Sequence, residues 1–205
     1  MYYFICVIIG YLTGCVNPSY ILGKLKRVDM RRSGTKNLGA SNAFISLGRG
    51  WGVFVMLFDI FKSLLAVFIC SLLFPELALA GIVAGSSCVL GHNHPFYLGF
   101  RGGKGLASYG GFVLAISPTL FFLLLFFCLT IAFLLNYGCT IALTASLIFP
   151  VLAGIKFNSI AAFFIVAICS ASMFYKHTEN LRRIKAGEER QFRAFIGKYI
   201  LQKNK

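Results

Sequence analysis

Three short polar segments of this 205-residue chain concentrate the residue types that handle anions and protons. The first, Ser33-Gly34-Thr35-Lys36-Asn37-Leu38-Gly39-Ala40-Ser41-Asn42, sets hydroxyls, amides and glycines around one lysine, just ahead of an apolar run. Glycine lets backbone N–H groups approach an anion, and the helix start that follows adds a positive dipole end. The same residues could form an ordinary turn capped by Ser41 or Asn42. Gly34, Asn37, Gly39 and Asn42 around Lys36 favour a binding loop. The second segment runs from Gly91-His92-Asn93-His94-Pro95 into Phe100-Arg101-Gly102-Gly103-Lys104-Gly105. Backbone amides of Gly102 and Gly103 with the Lys104 point charge suit a phosphate. No carboxylate lies near His92 and His94 in the sequence, so a hydrogen-bonding role across helix ends is expected and a metal site is not. The third segment begins His177-Thr178-Glu179-Asn180 and ends Gly187-Glu188-Glu189. If helical, it puts His177 and Asn180 on one face, where a neutral imidazole could take a hydroxyl proton while Asn180 orients the partners. Arg182, Arg183 and Lys185 are read as a solvated basic face touching anionic lipid heads.

The elements that must carry these segments are membrane helices. Hydrophobic residues make up 58% of the chain and charged residues 13%, too apolar for the surface of a soluble domain of this size. Lys and Arg number 20 against 6 Asp and Glu, giving a formal charge of +14. On so apolar a chain this excess points to membrane topology and anionic ligands ahead of nucleic acid. The seven cysteines form no C-x-x-C pair and read as small buried hydrophobes.

Apolar runs cover residues 2–22, 51–74, 77–90, 106–135, 140–155 and 159–175. Ser117-Pro118 divides the fourth as a hairpin turn, and Lys156-Phe157-Asn158 separates the last two. Eighteen of the 20 basic residues fall at 24–49, 92–104 and 176–205. Placing all three stretches in the cytoplasm requires an even number of crossings between them. The expected fold is an all-α polytopic integral membrane protein with seven transmembrane helices, amino terminus outside and carboxyl terminus inside. One domain, 1–205, is expected, with 176–205 a basic cytoplasmic tail. Leu12-Thr13-Gly14-Cys15 has the look of a lipoprotein processing box, but positive charges follow the run and do not precede it, so a retained span is expected. Asp59 and Lys62, at i and i+3 inside the second run, read as a structural ion pair.

Together these segments resemble the bacterial membrane-integral acyl-phosphate:glycerol-3-phosphate acyltransferases, nearly end to end. Gly10-Tyr11-Leu12-Thr13-Gly14-Cys15 is similar to that family's first-span signature. Residues 34–42 resemble a G-S-G-N-x-G-A-T-N pattern, residues 91–108 resemble G-H-x-x-P-x-x-x-x-F-K-G-G-K-G-x-A-T, and residues 177–189 resemble H-x-x-N-I-x-R-L-x-x-G-x-E. Departures occur at Thr35 in place of Ser, Lys36 in place of Gly, Ile45 in place of Arg, and around Tyr137, where Asn136 and Cys139 stand in place of Arg and Ser.

The resemblance implies a cytoplasmic-side active site in the bacterial inner membrane. It also implies transfer of a fatty acyl group from acyl phosphate to the 1-hydroxyl of sn-glycerol 3-phosphate, yielding lysophosphatidate and phosphate. An acyl phosphate is already activated, so neither cofactor nor covalent enzyme intermediate is expected. Lys104, with Gly102 and Gly103, would hold the leaving phosphate, and Thr35, Lys36, Asn37, Gly39, Ser41, Asn42 and His92 would contact substrate. His177 or the donor's own phosphate would take the proton, with Asn180 completing the catalytic set. A transporter or binding protein for a lipid anion, or a catalytically silent paralogue, would use the same glycine loops and basic face.

Overall fold

The computed structural model describes residues 1–198, so Lys203 and Lys205 of the expected basic tail lie outside the described residues. The architecture is all-α: α1 (Tyr2–Cys15), α2 (Pro18–Leu25), α3 (Ala40–Ser46), α4 (Arg49–Leu73), α5 (Ala80–Asn93), α6 (Leu106–Ile116), α7 (Pro118–Leu135), α8 (Cys139–Lys156), α9 (Ile160–Lys185) and α10 (Phe192–Ile196). Among the described residues five stretches are long and apolar enough to cross a membrane: Tyr2–Leu25, Arg49–Leu73, Pro118–Leu135, Cys139–Lys156 and Ile160–Lys185. α5 and α6 are shorter.

Local chemistry sets the breaks. Pro118 opens α7 while the Ser117 hydroxyl accepts from the Leu120 N–H, and Asn158 adopts φ 45° before Ser159 caps α9. The first apolar run, expected as one uninterrupted helix, is divided by Asn17-Pro18. Asn17 Oδ1 caps α2 through the Tyr20 N–H, with Pro18 in the first turn. The carbonyls freed by this break are taken by distant donors, Cys15 O by the Tyr97 hydroxyl at 2.8 Å and Val16 O by Lys62 Nζ at 2.8 Å.

In lipid, close backbone approach replaces water expulsion as the force joining helices. Small residues accordingly line the α1–α5 seam. A Cβ on Gly10 would lie 2.2 Å from Ala84 O, one on Gly14 2.0 Å from Cys88 O, and one on Gly91 2.2 Å from Tyr11 O. The rising numbers on both helices make α1 and α5 parallel. Contacts of α4 with α5 run the opposite way, Gly81 near Ser71 and Asp59 near His92, whereas Tyr109 and Phe112 of α6 follow Ala145 and Phe149 of α8 in parallel. The buried centre is an edge-to-face trio, Tyr109, Phe112 and Phe149, with centroids 5.3–6.3 Å apart. All seven cysteines are free and buried. This alternation of direction delivers the polar segments to one end of the bundle.

Candidate active site

The first loop is organised by Asn42. Its Oδ1 accepts from the Thr35 N–H at 2.7 Å and the Ser46 hydroxyl at 3.3 Å, while its Nδ2 donates to Met30 O at 2.7 Å. Fully buried, Asn42 shapes the loop through both ends of its amide. Gly34, at φ 57°, passes so close that a Cβ would lie 2.2 Å from Asn42 Oδ1. Lys36 also adopts a left-handed backbone, φ 58°, and its side chain is exposed, as is that of Ser41. Thr35, Asn37 and Gly39 are partly exposed along the loop. Leu38, between them, presents its carbonyl to the Asn17 amide at 3.3 Å.

The second loop uses its glycines differently from the expectation. The N–H groups of Gly102 and Gly103 donate to the carbonyls of Asn93 and His92, at 3.0 and 3.1 Å. They satisfy orphan acceptors at the end of α5 and so are not the free anion-binding amides that the glycine pattern suggested. The absence of side chains is what matters here: a Cβ on Gly103 would lie 2.1 Å from His92 Nε2 and 2.5 Å from Leu38 O. Gly103, His92 and the first loop therefore meet at one point. Amides left for an anion are those of the first turn of α6, which no helix can satisfy internally. Arg31 ties the two loops by donating to Leu98 O and Arg101 O at 3.1 and 3.0 Å.

Lys104 leaves this loop toward α9. Its Nζ donates to Asn180 Oδ1 at 2.5 Å and lies 3.6 Å from Glu179 Oε2. Burial pushes the Lys104 pKa below the usual lysine value, with the Glu179 carboxylate opposing the shift. The Asn180 Nδ2 donates to Glu189 Oε1 at 2.8 Å, and Arg183 Nε donates to Glu189 Oε2 at 2.7 Å. Arg183, expected as a solvated lipid-facing cation, is thus engaged by Glu189 and also by Glu179 at 3.0 Å. One turn before Asn180, His177 is buried with Nδ1 donating to Met173 O at 2.8 Å. That fixes the ring and leaves Nε2 with its lone pair.

His92 is held from beneath by charge. Asp59 Oδ1 lies 2.7 Å from Lys62 Nζ and 3.3 Å from His92 Nδ1, all three side chains being buried. The ammonium directs hydrogen bonds to Val16 O and to His92 Nδ1 at 2.9 Å. With Nδ1 accepting, the ring proton resides on Nε2, facing Gly103. His94 takes a separate role: Nε2 lies 2.9 Å from the Ser172 hydroxyl, which also accepts from Asn93 Nδ2 at 3.0 Å, and Nδ1 lies 3.2 Å from Phe100 O. Burial and the nearby Lys176 charge keep the His94 pKa below the ordinary imidazole value.

The sequence-derived set thus divides. Lys104 and Asn180 touch, His177 stands one turn away on the same helix, and His92, Gly103 and the Leu38 backbone meet beside them. Lys36 and Ser41 lie on the outer side of the first loop. Ser172 was not singled out by residue type, Arg183 was read as a solvated cation, and the G-x-E ending of the third motif was the available signal for Glu189. Among the described residues no group of three or more His, Cys, Asp or Glu could hold a metal ion. Half-buried cations beside an imidazole with a free lone pair can bind an anion and accept a proton from a neighbouring hydroxyl.

A family model described as glycerol-3-phosphate acyltransferase matches residues 4–187. The glycerol-3-phosphate acyltransferase of Thermoanaerobacter pseudethanolicus is 36% identical over 190 residues, covering 92% of this chain and 95% of that protein. The Aquifex aeolicus protein of the same name is 33% identical over 189 residues, covering 91% and 97%. Among solved structures, PlsY (YgiH), an integral membrane glycerol 3-phosphate acyltransferase, aligns in its glycerol 3-phosphate form with a TM-score of 0.84 and 30% identity, covering 93% of this chain and 95% of that one. Its lysophosphatidic acid form aligns with a TM-score of 0.83 and 28% identity over 96% and 99%. The chain, an integral membrane protein with multiple apolar helices, belongs to the glycerol-3-phosphate acyltransferase family.

Proposed function

We propose that the protein transfers a fatty acyl group from acyl phosphate to the 1-hydroxyl of sn-glycerol 3-phosphate, giving lysophosphatidate and inorganic phosphate. The observation that carries this reading is the junction of Lys104 with Asn180, one turn from the His177 imidazole, in a chain of this family. The glycerol oxygen attacks the acyl carbonyl carbon, and the bond from that carbon to the phosphate oxygen breaks. His177 Nε2 receives the hydroxyl proton, and Lys104 with the first turn of α6 stabilises the departing phosphate. Asn180 positions the Lys104 ammonium. Thr35, Lys36, Asn37, Gly39 and Ser41 line the approach of the acceptor, on a loop whose shape Asn42 sets, and His92 and Gly103 bring that loop against the reacting end.

In this reading the chain is one membrane-integral domain, 1–205, in the bacterial cytoplasmic membrane, with residues 176–205 on the cytoplasmic side. α1, α4, α5, α6, α7, α8 and α9 make seven crossings, amino terminus outside. Support comes from the alternating helix directions and from the basic residues gathered near the polar end. The test is an assay of the purified protein in detergent with acyl phosphate and a panel of glycerol, sn-glycerol 3-phosphate and dihydroxyacetone phosphate. Phosphate release matched by lysophosphatidate is expected with glycerol 3-phosphate. Folded protein that transfers no acyl group to it would overturn the reading.

A further inference from the structure

Beyond the motif residues, one cation of α9 lacks, among the described residues, the partner that its setting demands. Ser172, Lys176 and Asn180 recur every four residues and so share one helix face. The two outer members both touch the second loop, Ser172 through Asn93 and His94, Asn180 through Lys104. Lys176 lies between them, facing the same cleft. It is half-buried, unlike Arg182 and Lys185 further along the helix, which are exposed. Among the described residues it has no ion pair or hydrogen bond, and the charges that act on it are the like charges of Lys104 and Arg31.

The other cations of the cleft are engaged. Lys104 has Asn180 and Glu179, and the Arg31 guanidinium donates to Leu98 and Arg101 carbonyls. A half-buried Lys176 with no counter-charge among the described residues, acted on by the like charges of Lys104 and Arg31, favours an anion of more than one charge beside it.

We infer that Lys176 is a further phosphate-binding residue of this site, gripping the phosphate group carried by one of the two substrates, from the cleft between the Ser172–Asn180 face of α9 and the 93–104 loop. The inference rests on the acyl-transfer reading for its substrates, but its ligand chemistry, a phosphate group, is independent of turnover. Acyl phosphate and glycerol 3-phosphate share that group, and kinetics separate them. Lys176→Gln should raise the KM of one of the two by about tenfold, the effect of losing one charge-assisted contact. The KM of the other should stay within threefold, and Lys176→Arg should recover most of the loss. A purely structural role would instead lower the unfolding midpoint and leave both KM values alike.

A second measurement needs no catalysis. Inorganic phosphate should protect the detergent-solubilised wild-type protein from thermal unfolding, and Lys176→Gln should require about tenfold more phosphate for the same shift. Wild-type turnover with both KM values within twofold in Lys176→Gln, and unchanged phosphate protection, would overturn the inference. Lysine-dependent phosphate protection in a protein that transfers no acyl group would leave the inference standing and remove the acyl-transfer reading.

Discussion

Lys104 Nζ and Asn180 Oδ1 lie 2.5 Å apart, joining the loop before α6 to the carboxyl-terminal half of α9, and the other end of the same amide is held by Glu189 at 2.8 Å. The ammonium is thereby aimed by a chain of two residues on α9 and the turn after it. Asn180→Ala and Lys104→Ala should each depress kcat/KM by about 10², the scale of a lost electrostatic contact at a developing charge. Glu189→Gln keeps an acceptor oxygen for Asn180 and should cost less than Glu189→Ala. Equal rates for these two Glu189 variants would show that aiming the amide is unimportant.

The lowered pKa of Lys104 gives pH profiles a definite sign. Activity that needs the ammonium should fall on the alkaline side at a pH below that of an ordinary lysine, and Lys104→Arg should move that limb upward. For stability, the folded state binds fewer protons than the unfolded state between the two pKa values. Lys104 therefore disfavours folding below its folded pKa, and this cost is relieved as pH rises through the window. Activity profiles and detergent unfolding of both proteins across the alkaline range test both statements.

Lys36 places a side chain where the backbone favours glycine, at φ 58°. Lys36→Gly should stabilise the loop by about 1 kcal/mol. If Lys36 also supplies the charge missing at Ile45, the variant should raise the KM for glycerol 3-phosphate but leave that for acyl phosphate unchanged. Restoring Arg at position 45 in that variant should recover part of the affinity. A raised unfolding midpoint with an unchanged acceptor KM would assign Lys36 to backbone history alone.

The buried Asp59–Lys62 pair should behave as a unit. Removing Asp59 alone leaves an uncompensated ammonium and should cost about 3–5 kcal/mol, whereas Asp59→Leu with Lys62→Met should cost far less. The double variant also releases His92 from Lys62, so its kcat should fall even where its stability survives. Unfolding midpoints and steady-state rates of the single and double variants form the comparison.

Topology is open to direct measurement. Reporters fused after Lys104 and Asn136 should register as cytoplasmic, and those after Ser117 and Asn158 as external. A cytoplasmic signal at Ser117 with an external one at Asn136 would eliminate seven crossings.

What residue patterns disclosed follows from range. The breaks at Ser117-Pro118 and Asn158 were legible because proline and turn chemistry act on their own neighbours, and the Asp59–Lys62 pairing because both share one helix face. Asn17-Pro18, an equally local signal, was hidden inside an otherwise apolar run. His92 joining Asp59 could not be read, because they stand 33 positions apart and meet only through helix packing. The engagement of the Gly102 and Gly103 amides by the end of α5 was equally invisible: a glycine pattern reports close approach without saying whether ligand or backbone comes close. Motif spacing did place Lys104, His177 and Asn180 among the residues of interest, yet their contact needed the docking of α9 beside α5.

α5 has 14 residues, a rise of about 21 Å, short of the roughly 30 Å hydrocarbon layer. A helix of that length cannot carry both ends to the two surfaces of an undeformed bilayer, so if α5 crosses as proposed and its Ala80 end reaches the far surface, the His92 end opens beneath the headgroups or draws the leaflet down to meet it. Either arrangement sets chemistry at an oil–water boundary. A reactant with a long apolar tail can stay dissolved in the leaflet and arrive by lateral diffusion, while a small polar one enters from water. The rate should then follow the tailed reactant's mole fraction among the lipids, falling as inert lipid dilutes it at constant bulk molarity.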